Sequence, residues 1–354
     1  MTHKKIAYIG IYPATAPRDK VYIDELKRRG VEFVECVGTG AGMRKYIQLY
    51  RNLNSLRDAD LVWVGYLSTL AVIVAYLATR KKILYNALCS SYESYILDRA
   101  MYSKYSFRSV LFWVSDFLSF HLASISLVES ESQKRFISRV FFVSKKRLHV
   151  VYTGADESIF YPDQSTPKAK DFTVVFRGKF VPATGVEFVV EAARILAAEP
   201  IKFLIIGWGQ EQEKIEHLIR SYTLTNIELI TSFLSPADLH QRMLSGHVLL
   251  GQFSTNSRLD RTIQHKTIEA MALGMPYITR DSVSNREILT DGEDCLFVQP
   301  ADARNLAEKI IYCMKRTDVW EKISAGARNM YEARLQQSVL GEHIKRIIAS
   351  PPFA

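Results

Sequence analysis

Cysteine is scarce in this chain: its 354 residues hold four, Cys36, Cys89, Cys295 and Cys313. No two form a CxxC pair and each falls in or beside an apolar stretch, which excludes a disulfide scaffold and fits a reducing, cytoplasmic setting. Long hydrophobic runs are also wanting. The opening MTHKKIAYIGIY stops at Pro13, without the apolar length or small-residue site of a signal peptide, and reads as a first strand. One stretch, residues 61–78, approaches membrane-span length. Its first part reads as a buried strand and Ser68-Thr69 as a helix start, so two ordinary elements are expected instead of a span. There is no low-complexity tract, and 48% hydrophobic residues exclude a disordered chain. The length is too great for one ordinary core, so two domains are expected.

Acidic residues are short in the first part only. Residues 1–150 carry 23 Lys+Arg against 12 Asp+Glu, and the remainder 23 against 25, so the net charge of +9 lies in the N-terminal half. Clusters such as Arg80-Lys81-Lys82 and Lys145-Lys146-Arg147 either draw that half to an anionic membrane or phosphate-bearing acceptor, or are solvated helix ends. No nucleic-acid motif accompanies them, so nucleic acid is not expected as a partner.

Short β-branched runs alternate with segments of helical period, the pattern of parallel sheets with crossover helices. Strands are expected at 5–10, 31–36, 61–65, 83–87, 125–128 and 148–152, then at 172–177, 202–206, 227–230, 248–251, 277–279 and 295–298. A polar stretch with two prolines, 161–170, suits an interdomain linker. The expected domains are residues 1–160, residues 161–335, and a C-terminal helix over 336–354 that packs back on the first domain.

Three segments of the second half carry chemistry. From Thr267 the sequence reads as a helix with Ile268, Met271 and Ala272 inward and Gly274 as its stop, while Arg261, Gln264, His265 and Lys266 crowd its start. A helix N-terminus with adjacent cations suits a diphosphate, and Glu269 either accepts hydrogen bonds from ribose hydroxyls or caps a solvated helix. Gly178-Lys179 ends a strand in a glycine turn that lets backbone approach a phosphate. Gly207 and Gly209 frame a similar turn, where a base or ribose would lie against the backbone.

In order and spacing these segments resemble the C-terminal domain of the GT-B glycosyltransferases of retaining family 4. The resemblance runs from residues 150–162 through Gly178-Lys179, Ile206-Gly207-Trp208-Gly209 and Glu269-Ala270-Met271-Ala272 to residues 287–292. It implies an α/β fold of the GT-B type, two Rossmann-like doubly wound domains facing a cleft. It further implies a nucleotide-sugar donor held by Gly178, Lys179, Gly207, Gly209, Arg261, His265, Lys266 and Thr267, with Glu269 on the ribose. Retaining members need no metal and no other cofactor, and work by front-face departure and attack, so no nucleophile is assigned. Two positions depart from the family pattern. Thr184 stands where a phosphate-clamping Lys is usual, with Arg261 as a substitute, and Arg261 itself stands where a sugar-contacting Glu is usual, with Asp260 next to it.

The first half resembles the family less. Arg18 and Lys20 follow the first strand and either meet phosphate or begin a helix as surface charges. Asn86 is the nearest match to a sugar-contacting residue of related enzymes, and with Ser90, Ser91 and Tyr92 it is a candidate for the acceptor. Aromatics in 110–120 either touch lipid or form core, and His121 in that stretch is read as structural. The function expected is transfer of a sugar to a lipid-linked or surface polysaccharide or glycolipid precursor, in the cytoplasm at the inner face of the membrane. The alternatives are a catalytically silent nucleotide-binding scaffold and a sugar-nucleotide epimerase.

Overall fold

Twelve strands form where the apolar runs place them, with ends within one or two residues of expectation. The computed structural model describes residues 5–56, 58–99 and 101–353. In the first half the strands are β1 (Lys5–Gly10), β2 (Glu32–Val37), β3 (Leu61–Val64), β4 (Ile83–Leu88), β5 (Ile125–Val128) and β6 (Leu148–Val150). In the second they are β7 (Phe172–Arg177), β8 (Ile201–Ile206), β9 (Ile227–Ile230), β10 (Val248–Leu250), β11 (Tyr277–Arg280) and β12 (Leu296–Val298). Two six-stranded sheets result, ordered β2-β1-β3-β4-β5-β6 and β12-β11-β10-β7-β8-β9. Neighbouring strands pair in parallel; in register, Ala7 faces Val34 on one side and Val62 on the other. Central strands are buried along their whole length, as parallel strands covered by helices on both faces must be. The split of the 61–78 run is confirmed: β3 ends at Val64 and a helix runs Thr69–Thr79. No helix among the described residues is long and apolar enough to cross a membrane.

The chain divides into an N-terminal unit, Met1–Asp156 with Gln337–Ala354, and a C-terminal unit, Glu157–Gln336. The helix Gln337–Ile348 belongs to the first unit: Leu340, Ile344, Ile347 and Ile348 share a core with Ile6, Tyr8 and Trp63. Gly341 allows its approach to the helix Pro17–Arg28, since a Cβ there would stand 2.3 Å from Glu25 Cγ. The boundary falls before the polar stretch 161–170, which is not a free linker. His240 Nε2 lies 2.9 Å from the Tyr161 carbonyl, and Lys168 Nζ donates to the carbonyls of Leu244 and Gly246. These bonds fasten the stretch to the C-terminal unit.

Candidate functional site

In an open α/β sheet a ligand sits beyond the carboxyl ends of the strands where strand order reverses. The two units treat that point differently. In the C-terminal unit the reversal lies between β7 and β10. The loop after β7 turns at Gly178 and again at Gly185, where φ is +66° and a Cβ would stand 2.5 Å from the Ser254 nitrogen, so that only glycine fits. Thr184 closes this loop: it is buried, and its hydroxyl donates to the Val181 carbonyl at 2.6 Å. It is thus a loop-forming residue at the position where the resembled family usually has a phosphate-clamping Lys.

Beside Gly178 begins the helix His265–Leu273, with Ile268, Met271 and Ala272 fully buried and Gly274 closing it at φ +64°. Its second residue, Lys266, is 8% exposed, and its ammonium has no hydrogen-bond partner among the described residues. Nζ lies 4.1 Å from the centroid of the Phe176 ring, and a Cβ on Gly178 would come within 2.6 Å of it. Burial first, and the Arg177 cation second, push the Lys266 ammonium down to about 7. Next to it Arg177 Nη1 donates to both oxygens of Glu269, at 2.9 and 2.6 Å, with the carboxylate buried. The end of β7 and the start of this helix therefore gather two cations and a single carboxylate that is already paired. An uncompensated buried ammonium at a helix N-terminus is costly unless an anion completes it.

Of the residues expected here, Gly178, His265, Lys266 and Glu269 gather around this helix start, and Lys179 stands exposed on the adjoining loop. Arg261 is half-buried, its amide closing the turn on the Arg258 carbonyl. Asp260 is held by Arg280 at 2.5 Å, so it is not a free carboxylate for a sugar. Thr267 corrects expectation. It is 1% exposed, its hydroxyl lies 2.9 Å from the Tyr277 hydroxyl and its amide donates to the Gln264 carbonyl, so it serves the core and the helix turn. Gly207 and Gly209 have a packing reason that the sequence hid: a Cβ on Gly207 would lie 1.8 Å from the Gly178 carbonyl, and one on Gly209 2.7 Å from that of Phe180. They let the β8 loop lie on the β7 loop. Arg177 was missed, and its signal was an arginine ending an otherwise apolar strand directly before a glycine.

In the N-terminal unit the reversal lies between β1 and β3, and protein fills it. Arg18 is 1% exposed and donates to Asn86 Oδ1 at 2.8 Å, Thr153 Oγ1 at 2.6 Å and the Val151 carbonyl at 3.0 Å. Asn86 in turn donates to Asp19, which also accepts from Trp63, Tyr8 and the Tyr66 amide. Arg18 and Asn86 are therefore members of a closed buried network, and the expectation that they bind an acceptor is corrected. Ser90 is corrected as well, being fully buried, whereas Tyr92 is half-buried. The Ser90 hydroxyl accepts from the Glu93 amide, and Tyr92 packs against Phe141 while its amide donates to buried Asp116. Lys20 pairs with Asp24 and Asp156, and His121 Nδ1 lies 2.8 Å from the Phe117 carbonyl, a structural role. Among the described residues no group of His, Cys, Asp or Glu is placed to hold a metal ion.

Two Rossmann-like sheets in series, with the anion-ready helix start in the second, define the class: a GT-B fold. Residues 158–330, nearly the whole C-terminal unit, match the family described as glycosyl transferases group 1. The Anabaena protein HepE, solved in complex with UDP and glucose, matches with a TM-score of 0.78 at 15% identity, over 98% of this chain and 100% of that one. The 2-deoxystreptamine N-acetyl-D-glucosaminyltransferase of Niallia circulans is 25% identical over 158 residues, 44% of this chain and 39% of its own. The capsular polysaccharide biosynthesis glycosyltransferase CapM of Staphylococcus aureus is 20% identical over 254 residues, 68% of this chain and 65% of its own. The chain thus spans less than two thirds of the length of these curated relatives.

Proposed function

We propose that the chain is a retaining glycosyltransferase that binds a nucleotide-sugar donor at the start of the His265–Leu273 helix and passes the sugar to a precursor of a surface polysaccharide or glycolipid. The observation that carries this is the buried, unpartnered Lys266 ammonium against Gly178. A diphosphate supplies the missing charge, Lys179 adds a second cation from the exposed loop, and Glu269 accepts from the ribose once Arg177 shares or yields it. Catalysis is then positioning and charge stabilisation of the leaving diphosphate, without a metal or a protein nucleophile. HepE in complex with UDP makes uridine diphosphate sugars the first donors to try, and CapM supports a polysaccharide precursor as acceptor. The place of action is the cytoplasmic face of the membrane.

Calorimetric titration with UDP-, GDP-, ADP- and dTDP-sugars, beside Glu269→Ala and Lys179→Ala proteins, tests the donor site. Binding of one nucleotide by the native chain, weakened at least about tenfold in Glu269→Ala, is the expected result. Absence of binding to any of them by folded protein refutes it. The buried Thr184 and the Arg177–Glu269 pair favour a second reading, a scaffold that binds nucleotide without turnover. Donor consumption with acceptor extracts eliminates that reading.

A further inference from the structure

The helix Phe107–Leu122 packs Phe120, Trp113 and Phe117 on the core together with polar groups, and leaves a second, apolar stripe outside. Ser109, Asp116 and Ser119 are buried, whereas Phe107, Val110, Leu111, Val114 and Leu118 are exposed, Phe107 by 75%. Steps of three or four residues join Phe107 to Val110 and Leu111, these to Val114, and Val114 to Leu118, so the five form one stripe. The inward polar side is explained by its partners: Asp116 accepts from the amides of Ser91 and Tyr92, and Ser119 donates to the Thr69 carbonyl. Among the described residues the five side chains of the apolar stripe stay exposed. The neighbouring helix Thr69–Thr79 has no charged residue and adds exposed Tyr76 and Leu77. A cavity of about 510 Å³ opens against these helices, lined by Leu70, Ile73, Tyr102, Leu111, Phe112 and Leu118 among others, with Arg108 its one charged residue.

Cations predominate around the stripe. Residues 99–115 include Arg99, Lys104 and Arg108, all exposed, and no acidic residue. At the far end of the helix Arg147 donates to the His121 carbonyl, which brings exposed Lys145 and Lys146 beside it, next to Phe142 at 73% exposure. An apolar stripe bracketed by cations at both ends complements a surface that is anionic outside and hydrocarbon within. A bare solvated face would not combine Tyr105 at 97% exposure with Phe107 and a dry-walled cavity.

We propose that this face of the N-terminal unit docks on an anionic lipid bilayer, with Tyr105 and Phe107 among the acyl chains and one lipid hydrocarbon chain entering the cavity. Cations at 99–108 and 145–146 face the headgroups. The proposal goes beyond the donor site and stands on the N-terminal unit alone; it names the surface at which a lipid-linked acceptor is met.

The test is co-sedimentation of the full chain with phosphatidylcholine vesicles, with and without phosphatidylglycerol, at low and moderate salt. The native chain is expected to bind the anionic vesicles and to be released by salt. Leu111→Asp is expected to weaken binding about tenfold or more, and Lys104→Glu with Arg108→Glu about fivefold or more for each cation. All three positions are exposed, so thermal melts of the variants should match the native protein. No binding to anionic vesicles at low salt overturns the proposal, as does equal binding by Leu111→Asp. It is equally overturned if Leu111→Asp converts a dimer to a monomer in analytical ultracentrifugation while vesicle binding is unchanged, since the stripe is then a contact between copies. Donor calorimetry on the same preparations keeps the two ideas apart. Nucleotide binding without vesicle binding removes this proposal alone, and the converse removes the donor site alone.

Discussion

Replacing Lys266 by Met keeps the buried aliphatic stem and deletes the charge, so it separates a strained binding group from an ordinary core lysine. In the folded chain the ammonium is pushed down to about 7, while an unfolded lysine titrates near ~10.4. At neutral pH that difference withholds about 4 kcal/mol of folding free energy. Because the folded value is the lower one, the unfolded chain binds more protons between about pH 7 and 10. Stability should therefore rise with pH across that window and be poorest below it. Losing the contact with the Phe176 ring costs roughly 0.5–2 kcal/mol, so Lys266→Met should leave the ligand-free protein about 2–3 kcal/mol more stable at pH 7, or some ~5 °C in Tm. The same change should weaken nucleotide-sugar binding roughly 10- to 100-fold, the worth of one charge-assisted hydrogen bond. A diphosphate restores the ammonium, so binding at pH 8 should take up a proton and affinity should fall as pH rises above about 7. Scanning calorimetry reads the first effect. Titration calorimetry in two buffers of different ionisation enthalpy reads the second. A variant less stable than the native protein refutes the unpaired buried charge, and one of undiminished affinity refutes the ligand.

Arg18→Met leaves the buried acceptors Asn86 Oδ1, Thr153 Oγ1 and the Val151 carbonyl without their donor and should destabilise the N-terminal unit by about 3 kcal/mol or more in urea unfolding; a loss of turnover at unchanged stability would restore Arg18 as an acceptor contact. Gly207→Ala drives a Cβ to 1.8 Å from the Gly178 carbonyl and should cost about 3 kcal/mol or more, so a variant of native stability with weakened nucleotide binding would contradict the packing role. Burial pushes the Asp116 carboxyl up to about 7, which favours the folded chain while the group is protonated and loses that advantage as pH rises through 7. Between pH 5 and 8, Asp116→Asn should therefore gain about 2–3 kcal/mol relative to the native protein, and parallel stability curves for the two would show that Asp116 is ionised throughout.

Strand positions, the helix starting near Thr267 and ending at Gly274, and the division of the 61–78 run were all legible in the sequence. Each depends on neighbours within a few residues: β-branched runs for the strands, glycine at positive φ for the stop. The grouping of Gly178, Lys266 and Glu269 was legible too, because strand-end loops and the helix start at a switch point converge in any sheet of this order. What a polar side chain at a strand end points to is a different matter. Arg18 and Asn86 read as cleft residues, yet their partners are Asp19, Val151 and Thr153, up to 135 residues away. Arg177 looked like the end of a strand until Glu269, 92 residues on, was placed against it. Thr184 could be read as a lost cation, but only the folded loop shows its hydroxyl closing the turn. Local pattern determined the two sheets of this protein and the helix start at the switch point of the second. Which polar groups are consumed by the interior and which, like Lys266, are left for a ligand was decided by tertiary pairing, because burial and partner distance are properties of the packed chain and not of its neighbours in sequence.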